Sequence, residues 1–237
     1  MNKFLKVSIH QPNYLPWMGL IHKICNSDIF VIFDDVQLVR GKSYVIRTQI
    51  NTSGGAKWIS VPVENKNEFL KINQIKINNK ISWQDEHWNK IFENYHKTKF
   101  FEEYSENFKI ILYEKWNSLV EMNFAFIKEI LNILEIQKNI KFSSELGVDG
   151  LGTEKIINII KAVNGNEYIS GTGKGSSRYI IDNEEKFEKN SIKLSFQKFE
   201  QPKYNQISSD FVPNLSIIDS IFNIGSKNTL KIMMNQG

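Results

Sequence analysis

The order of apolar and polar residues predicts most of the elements. Lys6 to His10 reads as a short strand ended by Gln11-Pro12. Pro12 and Pro16 bracket a stiff loop, because proline fixes its own backbone and restrains the residue before it. Trp17 to Cys25 has helical spacing, and Ile29 to Phe33 is an unbroken apolar run, the pattern of a strand buried on both faces. The first 35 residues therefore form a β-α-β unit. Tyr44 to Ile50 and Trp58 to Val63 predict two strands, joined as a hairpin through Asn51 to Ala56 with its Gly54-Gly55 pair. Ile72 to Ile77 alternates and predicts a further strand. The middle is helical: Trp88, Ile91, Phe92 and Tyr95 share one face. One longer helix follows, carrying Phe108, Ile111, Leu112, Leu119, Ile127, Ile130 and Leu134. Thr153 is placed to cap a helix that ends near Asn164, with Gly165 as its stop. Strands at Glu167–Ser170 and Ile192–Phe199 and a helix at Ser216–Asn223, stopped by Gly225, complete the reading. The fold class is α/β: a partly parallel mixed sheet opened by a β-α-β unit, a helical middle segment and a C-terminal α/β part. One domain over 1–237 is expected. Its weakest joint is Ser143 to Gly152, where lobes 1–142 and 143–237 would divide.

Composition changes this picture mainly by exclusion. The 237 residues hold 41% apolar side chains, enough for a sizeable core. A single cysteine, Cys25, excludes a disulfide framework and a cysteine-based metal cluster. Cys25 itself reads as a core residue. No apolar run reaches the length of a membrane span, and the start lacks a signal-peptide pattern, so a cytoplasmic protein is expected. The charge of +4 does not argue for nucleic acid, which is not an expected partner, because Ile, Lys and Asn, all AT-rich in their codons, supply 87 residues and the lysines are interleaved with glutamate. The same bias makes the three arginines, Arg40, Arg47 and Arg178, more informative than the lysines.

Two polar clusters are candidates for chemistry. His10-Gln11-Pro12-Asn13-Tyr14 leaves the carboxyl end of the first strand, and Asp34-Asp35-Val36-Gln37 leaves the second. If these strands are parallel, both clusters meet at the edge where open α/β sheets bind ligands. His10 suits a general base, and one aspartate suits orienting it, binding a sugar hydroxyl or holding Mg²⁺. Arg47 offers a planar fork for a carboxylate or phosphate, or a surface ion pair. The stretch Ser170-Gly171-Thr172-Gly173-Lys174-Gly175-Ser176-Ser177-Arg178 offers backbone N–H groups to an anion or is a surface turn; it lacks Walker spacing. Ser216-Ile217-Ile218-Asp219 has capping-box spacing. His87, beside Trp83 and Ile91, reads as solvated or half-buried, and Asn123 on an apolar stripe as satisfying a loop backbone. No metal-ligand spacing and no cofactor motif occurs.

Together, Ile9-His10-Gln11-Pro12-Asn13-Tyr14-Leu15-Pro16-Trp17-Met18-Gly19, Phe33-Asp34-Asp35-Val36-Gln37, Tyr168-Ile169-Ser170-Gly171, Pro213-Asn214-Leu215-Ser216-Ile217-Ile218-Asp219 and Phe222-Asn223-Ile224-Gly225 resemble the WbqC-like family from about residue 7 to 226. The chain departs from the family pattern in the extra Gly and Ser after Gly171. The resemblance implies a place in bacterial O-antigen or other surface-polysaccharide synthesis and glycine transfer to an amino sugar. It implies catalytic His10, Asp34 and Asp35 and substrate-binding Gln11, Tyr14, Gln37, Arg47, Ser170, Gly171, Ser216 and Asp219. The partners would be a nucleotide-linked amino sugar and an activated acyl or aminoacyl donor. A second reading is a class I nucleotidyltransferase-like or adenylate-forming ligase using ATP and Mg²⁺, although the His-x-x-His pair is missing: His10 and His22 stand 12 apart. A third is a non-catalytic sugar-nucleotide binding protein.

Overall fold

A computed structural model describes residues 4–38, 43–64, 69–173, 176, 180, 183–208 and 210–235. In chain order their strands are β1 (Lys6–His10), β2 (Ile29–Ile32), β3 (Arg47–Thr52), β4 (Gly55–Ser60), β5 (Asn139–Phe142), β6 (Glu167–Ser170) and β7 (Lys193–Phe196). Their helices are α1 (Met18–Cys25), α2 (Trp83–Tyr95), α3 (Phe101–Tyr113), α4 (Leu119–Ile133), α5 (Gly152–Ala162), α6 (Glu184–Lys189) and α7 (Ile218–Met234). The chain forms two compact units, each drawn from three segments. The first takes Met1–Gln11, His22–Asp35 and Lys138–Phe199; the second takes Pro12–Ile21, Val36–Gln137 and Glu200–Gly237.

The first unit is built on a five-stranded sheet in the order β5-β2-β1-β6-β7, with every pairing parallel. The predicted β-α-β opening stands, and β2 is buried along its whole length, as an unbroken apolar strand requires. Numbered along the chain, the sheet reads third, second, first, fourth, fifth. Its strand order therefore reverses between β1 and β6. Helix α5 sets that junction by burying Ile156, Ile157, Ile159 and Ile160. It ends where Asn164 turns left-handed (φ 56°) and the Gly165 N–H donates to the Ile160 carbonyl at 2.8 Å. A Cβ on Gly165 would lie 2.3 Å from Val7 Cγ2, so only glycine lets the chain run so close to β1. The cap differs from the prediction. Leu151 holds that position and Thr153 already lies inside the helix.

The second unit pairs the β3–β4 hairpin with α2, α3, α4 and α7. The hairpin forms, but its strands are shifted inward: Asn51 and Thr52 pair with Ala56 and Gly55, leaving Ser53-Gly54 as the tip and Gly55 at φ 89°. The predicted strand at 72–77 is a 3₁₀ turn, Ile72–Gln74, with single bridges at Lys71, Lys76 and Ile77; its alternation buries Ile72, Ile75 and Ile77 without forming a ladder. The single long helix is two, α3 and α4. Ser118 breaks it by accepting the Glu121 N–H at its side chain, which starts α4 afresh. In α2 the buried face is Trp83, His87, Ile91 and Tyr95, while Phe92 is exposed. Helix α7 runs on past Gly225, which breaks the helical geometry in place (φ 79°) against the Phe100 ring. Phe222 makes ring contacts with Tyr95, Phe101 and Phe108 at the centre of this unit.

Candidate functional site at the carboxyl edge of the parallel sheet

Parallel strands bring their carboxyl ends to one edge, so in the first unit His10 and Gln11, Asp34 and Asp35, Ser143 and Ser144, and Ser170 and Gly171 emerge side by side. The two clusters singled out in the sequence lie on adjacent strands. His10 is in register with Ile32, and the Phe33 N–H donates to the His10 carbonyl at 2.8 Å.

The ladders on this edge are unequal. The β1–β2 ladder runs through His10, and the β6–β7 ladder runs through Ser170, whose carbonyl accepts the Gln197 N–H at 2.7 Å. The β1–β6 ladder ends at Val7 opposite Tyr168. Beyond it the backbone ladder gives way, at the point where the strand order reverses, and the link between the two central strands there is the Ser8 hydroxyl, which donates to the Ile169 carbonyl at 3.5 Å. A crevice at that point is where open α/β sheets take their ligands.

Backbone alternation shows what the parting leaves behind. Lys6 and His10 turn their carbonyls to the β2 side, where Asp28 and Phe33 donate. Leu5 turns its carbonyl to the β6 side, where Asn166 and Glu167 donate at 3.2 Å. Ile9 shares the parity of Leu5 and so faces β6, yet among the described residues no backbone N–H donates to its carbonyl. Lys23 Nζ, from α1, donates to the Ile9 carbonyl instead, at 3.0 Å. Lys23 is 1% exposed, and burial lowers its amine to about 7.

His10 is half-buried. Its Nδ1 lies 2.8 Å from the Gln11 carbonyl, which can only accept, so Nδ1 carries the proton and Nε2 keeps its lone pair. Burial first, and then the Lys23 charge, lower the ring to about 4, against the opposing pull of the Gln11 carbonyl. His10 is therefore neutral at physiological pH.

The aspartates turn to other partners. Asp34 accepts from the Ser144 N–H at 3.0 Å and from the Ser144 hydroxyl at 2.6 Å. The Ser143 hydroxyl lies within reach of both acids, 3.0 Å from Asp34 Oδ1 and 2.6 Å from Asp35 Oδ1. Lys155 of α5 pairs with Asp35. This network ties the ends of β2 and β5 to α5, and it does not include the His10 ring. Among the described residues no group of three or more His, Cys, Asp or Glu side chains is arranged to hold a metal ion. The Ser170 hydroxyl donates to the Gly171 carbonyl at 3.0 Å. Lys174, Gly175, Ser177 and Arg178 of the glycine-rich stretch lie outside the described residues, as does Arg40.

Five sequence candidates belong to the second unit. Tyr14 is fully buried and its hydroxyl meets His87 Nδ1 at 2.9 Å; burial raises Tyr14 and lowers His87 to about 4. His87 is thus a core residue, not a solvated one, because the stripe through Trp83 and Ile91 is the one α2 buries. Gln37 is exposed and bridges Lys71. The Arg47 guanidinium lies 3.9 Å from the Trp58 ring centroid, with its Nε buried and unpartnered. Ser216 bridges Trp17, and its N–H donates to the Gln49 carbonyl. Asp219 is not a capping residue. Its Oδ2 accepts from the Tyr204 hydroxyl at 2.7 Å and from Gln206 Nε2 at 2.9 Å, while burial raises the acid against those bonds. Asn123 Nδ2 donates to the Pro12 and Val45 carbonyls, the loop-satisfying role its position predicted.

Sequence reasoning did not single out Lys23, Ser143, Ser144 or Lys155. The Ser143-Ser144 pair directly after the alternating stretch Asn139-Ile140-Lys141-Phe142 was a usable signal; Lys23 had none among 27 lysines.

The comparison with known families matches residues 11–231 to one family. The chain belongs to the WbqC-like protein family. It is also 32% identical over 225 residues, 94% of this chain and 95% of the relative, to "Uncharacterized protein Rv1507c" of Mycobacterium tuberculosis (strain ATCC 25618 / H37Rv). No solved structure matches it. No helix among the described residues of this WbqC-like chain is long and apolar enough to cross a membrane.

Proposed function

We propose that this WbqC-like protein is a transferase that forms an amide on a nucleotide-linked amino sugar, by glycyl or other acyl transfer, in bacterial surface-polysaccharide synthesis. The observation that supports it best is the neutral His10 ring, with Nε2 as its lone-pair nitrogen, beside the opening of a parallel sheet at its strand-order reversal. The substrate and donor classes come from the family resemblance, and the geometry supports the choice of this edge as the site. The sugar amine attacks the donor carbonyl carbon, the N–C bond forms, and the donor's leaving group departs with its bonding electrons. His10 Nε2 takes the proton that the attacking nitrogen loses. A ring held near 4 is a weak base. The negative charge of a bound diphosphate raises it toward the range where base catalysis is effective. Asp34 and Asp35, fixed by Ser143, Ser144 and Lys155, hold the neighbouring strand end in shape and offer sugar hydroxyls a preordered rim. General-base catalysis supplies about 10²–10⁴-fold, so His10→Ala should lower turnover by at least about 10² with sugar-nucleotide affinity retained. A fall below about threefold would remove His10 from this role.

The strand order favours one further reading, an ATP-using adenylate-forming enzyme at the same edge. Third-second-first-fourth-fifth is the order of doubly wound nucleotide-binding sheets. Pyrophosphate release on mixing the protein with ATP, glycine and the amino-sugar nucleotide would select it. Turnover with a preactivated acyl donor and no ATP would select the first.

A further inference from the structure

Lys23 is a buried charged group whose burial packing alone does not explain. Its side chain is among the largest fully buried ones, it has one hydrogen-bond acceptor for three donors, and among the described residues it has no carboxylate partner. A buried ammonium without a counter-charge is costly, so such groups either lose their proton or gain an anion. An apolar side chain at position 23 would avoid that cost but would leave the Ile9 carbonyl unpaired at the parting of β1 and β6.

A second unspent group faces the same gap. Glu167 turns its N–H toward β1, donating to Leu5, and the alternation continues along β6 to Gly171. The Gly171 N–H makes no hydrogen bond among the described residues. A Cβ at Gly171 would lie 2.9 Å from Ser176 Oγ, so glycine at this position makes room for that hydroxyl beside the strand end.

We propose that the opening between β1 and β6 binds a phosphoryl-type dianion, with Lys23 as its buried counter-cation and the Gly171 N–H as a donor. The nearby charges do not compete for the amine. Glu167 on β6 is taken by Ser195 and Lys193, Asp34 and Asp35 after β2 by Ser143, Ser144 and Lys155, and Lys138 donates to the carbonyls of Cys25 and Ser27 at the end of α1. His22, next to Lys23 on α1, is held between Gln197 and Asn26, and His10 is the titratable group on β1 that feels the Lys23 charge. Because Lys23 is lowered to about 7 in the free protein, it takes up a proton as the anion arrives, and binding weakens as pH rises above that value. The inference deepens the transferase reading by naming what holds the phosphoryl end of its substrate, and it also stands without the acyl-transfer step.

Sulfate is the probe, since its charge is constant from pH 6 to 9. Affinity for the full chain is measured by calorimetry across that range, and the Lys23 side chain is titrated by NMR with and without sulfate. The expected result is an affinity falling by about tenfold per pH unit above the free-protein value, and a Lys23 titration shifted upward by saturating sulfate. Lys23→Arg should bind with little pH dependence, because its charge is permanent, and Lys23→Met should bind at least about tenfold more weakly at pH 6.5. Absence of sulfate binding, a pH-independent wild-type affinity, or a wild-type Lys23 that titrates near 10.4 and ignores sulfate would overturn the proposal. The NMR titration needs no variant, so a poorly folding Lys23→Met would not spare it. A protein that turns over no acyl donor with the amino-sugar nucleotide, while its sulfate binding still depends on Lys23, would instead overturn the transferase reading alone.

Discussion

Single buried polar residues decide much of this protein's chemistry. His87 is 2% exposed, and its ring is lowered from 6.5 to about 4, by burial before anything else. As pH falls through 6.5 the unfolded chain takes up this proton while the folded chain refuses it until about 4. Stability is therefore lost on acidification across that window and is fully present above it, by about 3 kcal/mol for a difference of this size. His10 acts in the same direction. Urea unfolding at pH 7, 5.5 and 4.5 should show a stepwise loss, and His87→Gln should flatten part of it; equal stability at all three values would contradict the assignment. Asn123 carries a different cost. Replacing it with leucine leaves the Pro12 and Val45 carbonyls buried and unpaired, and the loss should be about 2–4 kcal/mol by denaturant unfolding. The role of Asn123 was legible because an amide on an apolar stripe must find partners. Lys23 was not, because a lysine-rich chain gives no reason to suspect one lysine of being buried. His87 was misplaced because two stripes on α2 were both aromatic, and only tertiary packing chose between them.

At the scale of elements, the sequence was most readable where one element meets one neighbour. β1, β2 and β6 lie within a residue of their predicted ends, since an apolar run ended by a polar pair or a glycine leaves little freedom. The α3–α4 break was hidden by an apolar spacing that continues across it, although Ser118-Leu119-Val120-Glu121 carries the capping signal in plain view. The 72–77 segment alternates like a strand because three of its isoleucines must be buried, and a turn with isolated bridges buries them equally well. Gly225 stops the helical geometry, as predicted, but not the helix, because the chain resumes beyond it. Its φ of 79° and the Phe100 ring 2.9 Å from a would-be Cβ make Gly225→Ala both strained and crowded. It should cost about 2 kcal/mol or more in unfolding experiments. A loss under about 0.5 kcal/mol would mean that the Phe100 ring yields freely.

On the scale of the whole molecule, the family match over residues 11–231 and the third-second-first-fourth-fifth sheet are independent observations. The sheet gathers the ends of β1, β2, β5 and β6 at one edge of the first unit, and the proposed function names an amino-sugar nucleotide as the substrate to test there. The edge itself was legible in the sequence: His10 and Asp34-Asp35 were expected to emerge together and do so. The parting of β1 from β6 was not, because strand pairing between residues some 160 positions apart leaves no trace in local pattern. Five other candidates, Tyr14, Gln37, Arg47, Ser216 and Asp219, belong to the second unit, where Tyr14 and Asp219 already have buried partners. An NMR titration of the full chain with a nucleoside-diphosphate amino sugar, following the His10 ring and the Gly171 amide, tests the account most directly. Saturable shifts at both positions, with the His10 titration moving upward, are the predicted result; shifts that leave His10 and Gly171 untouched while the ligand binds elsewhere would contradict it.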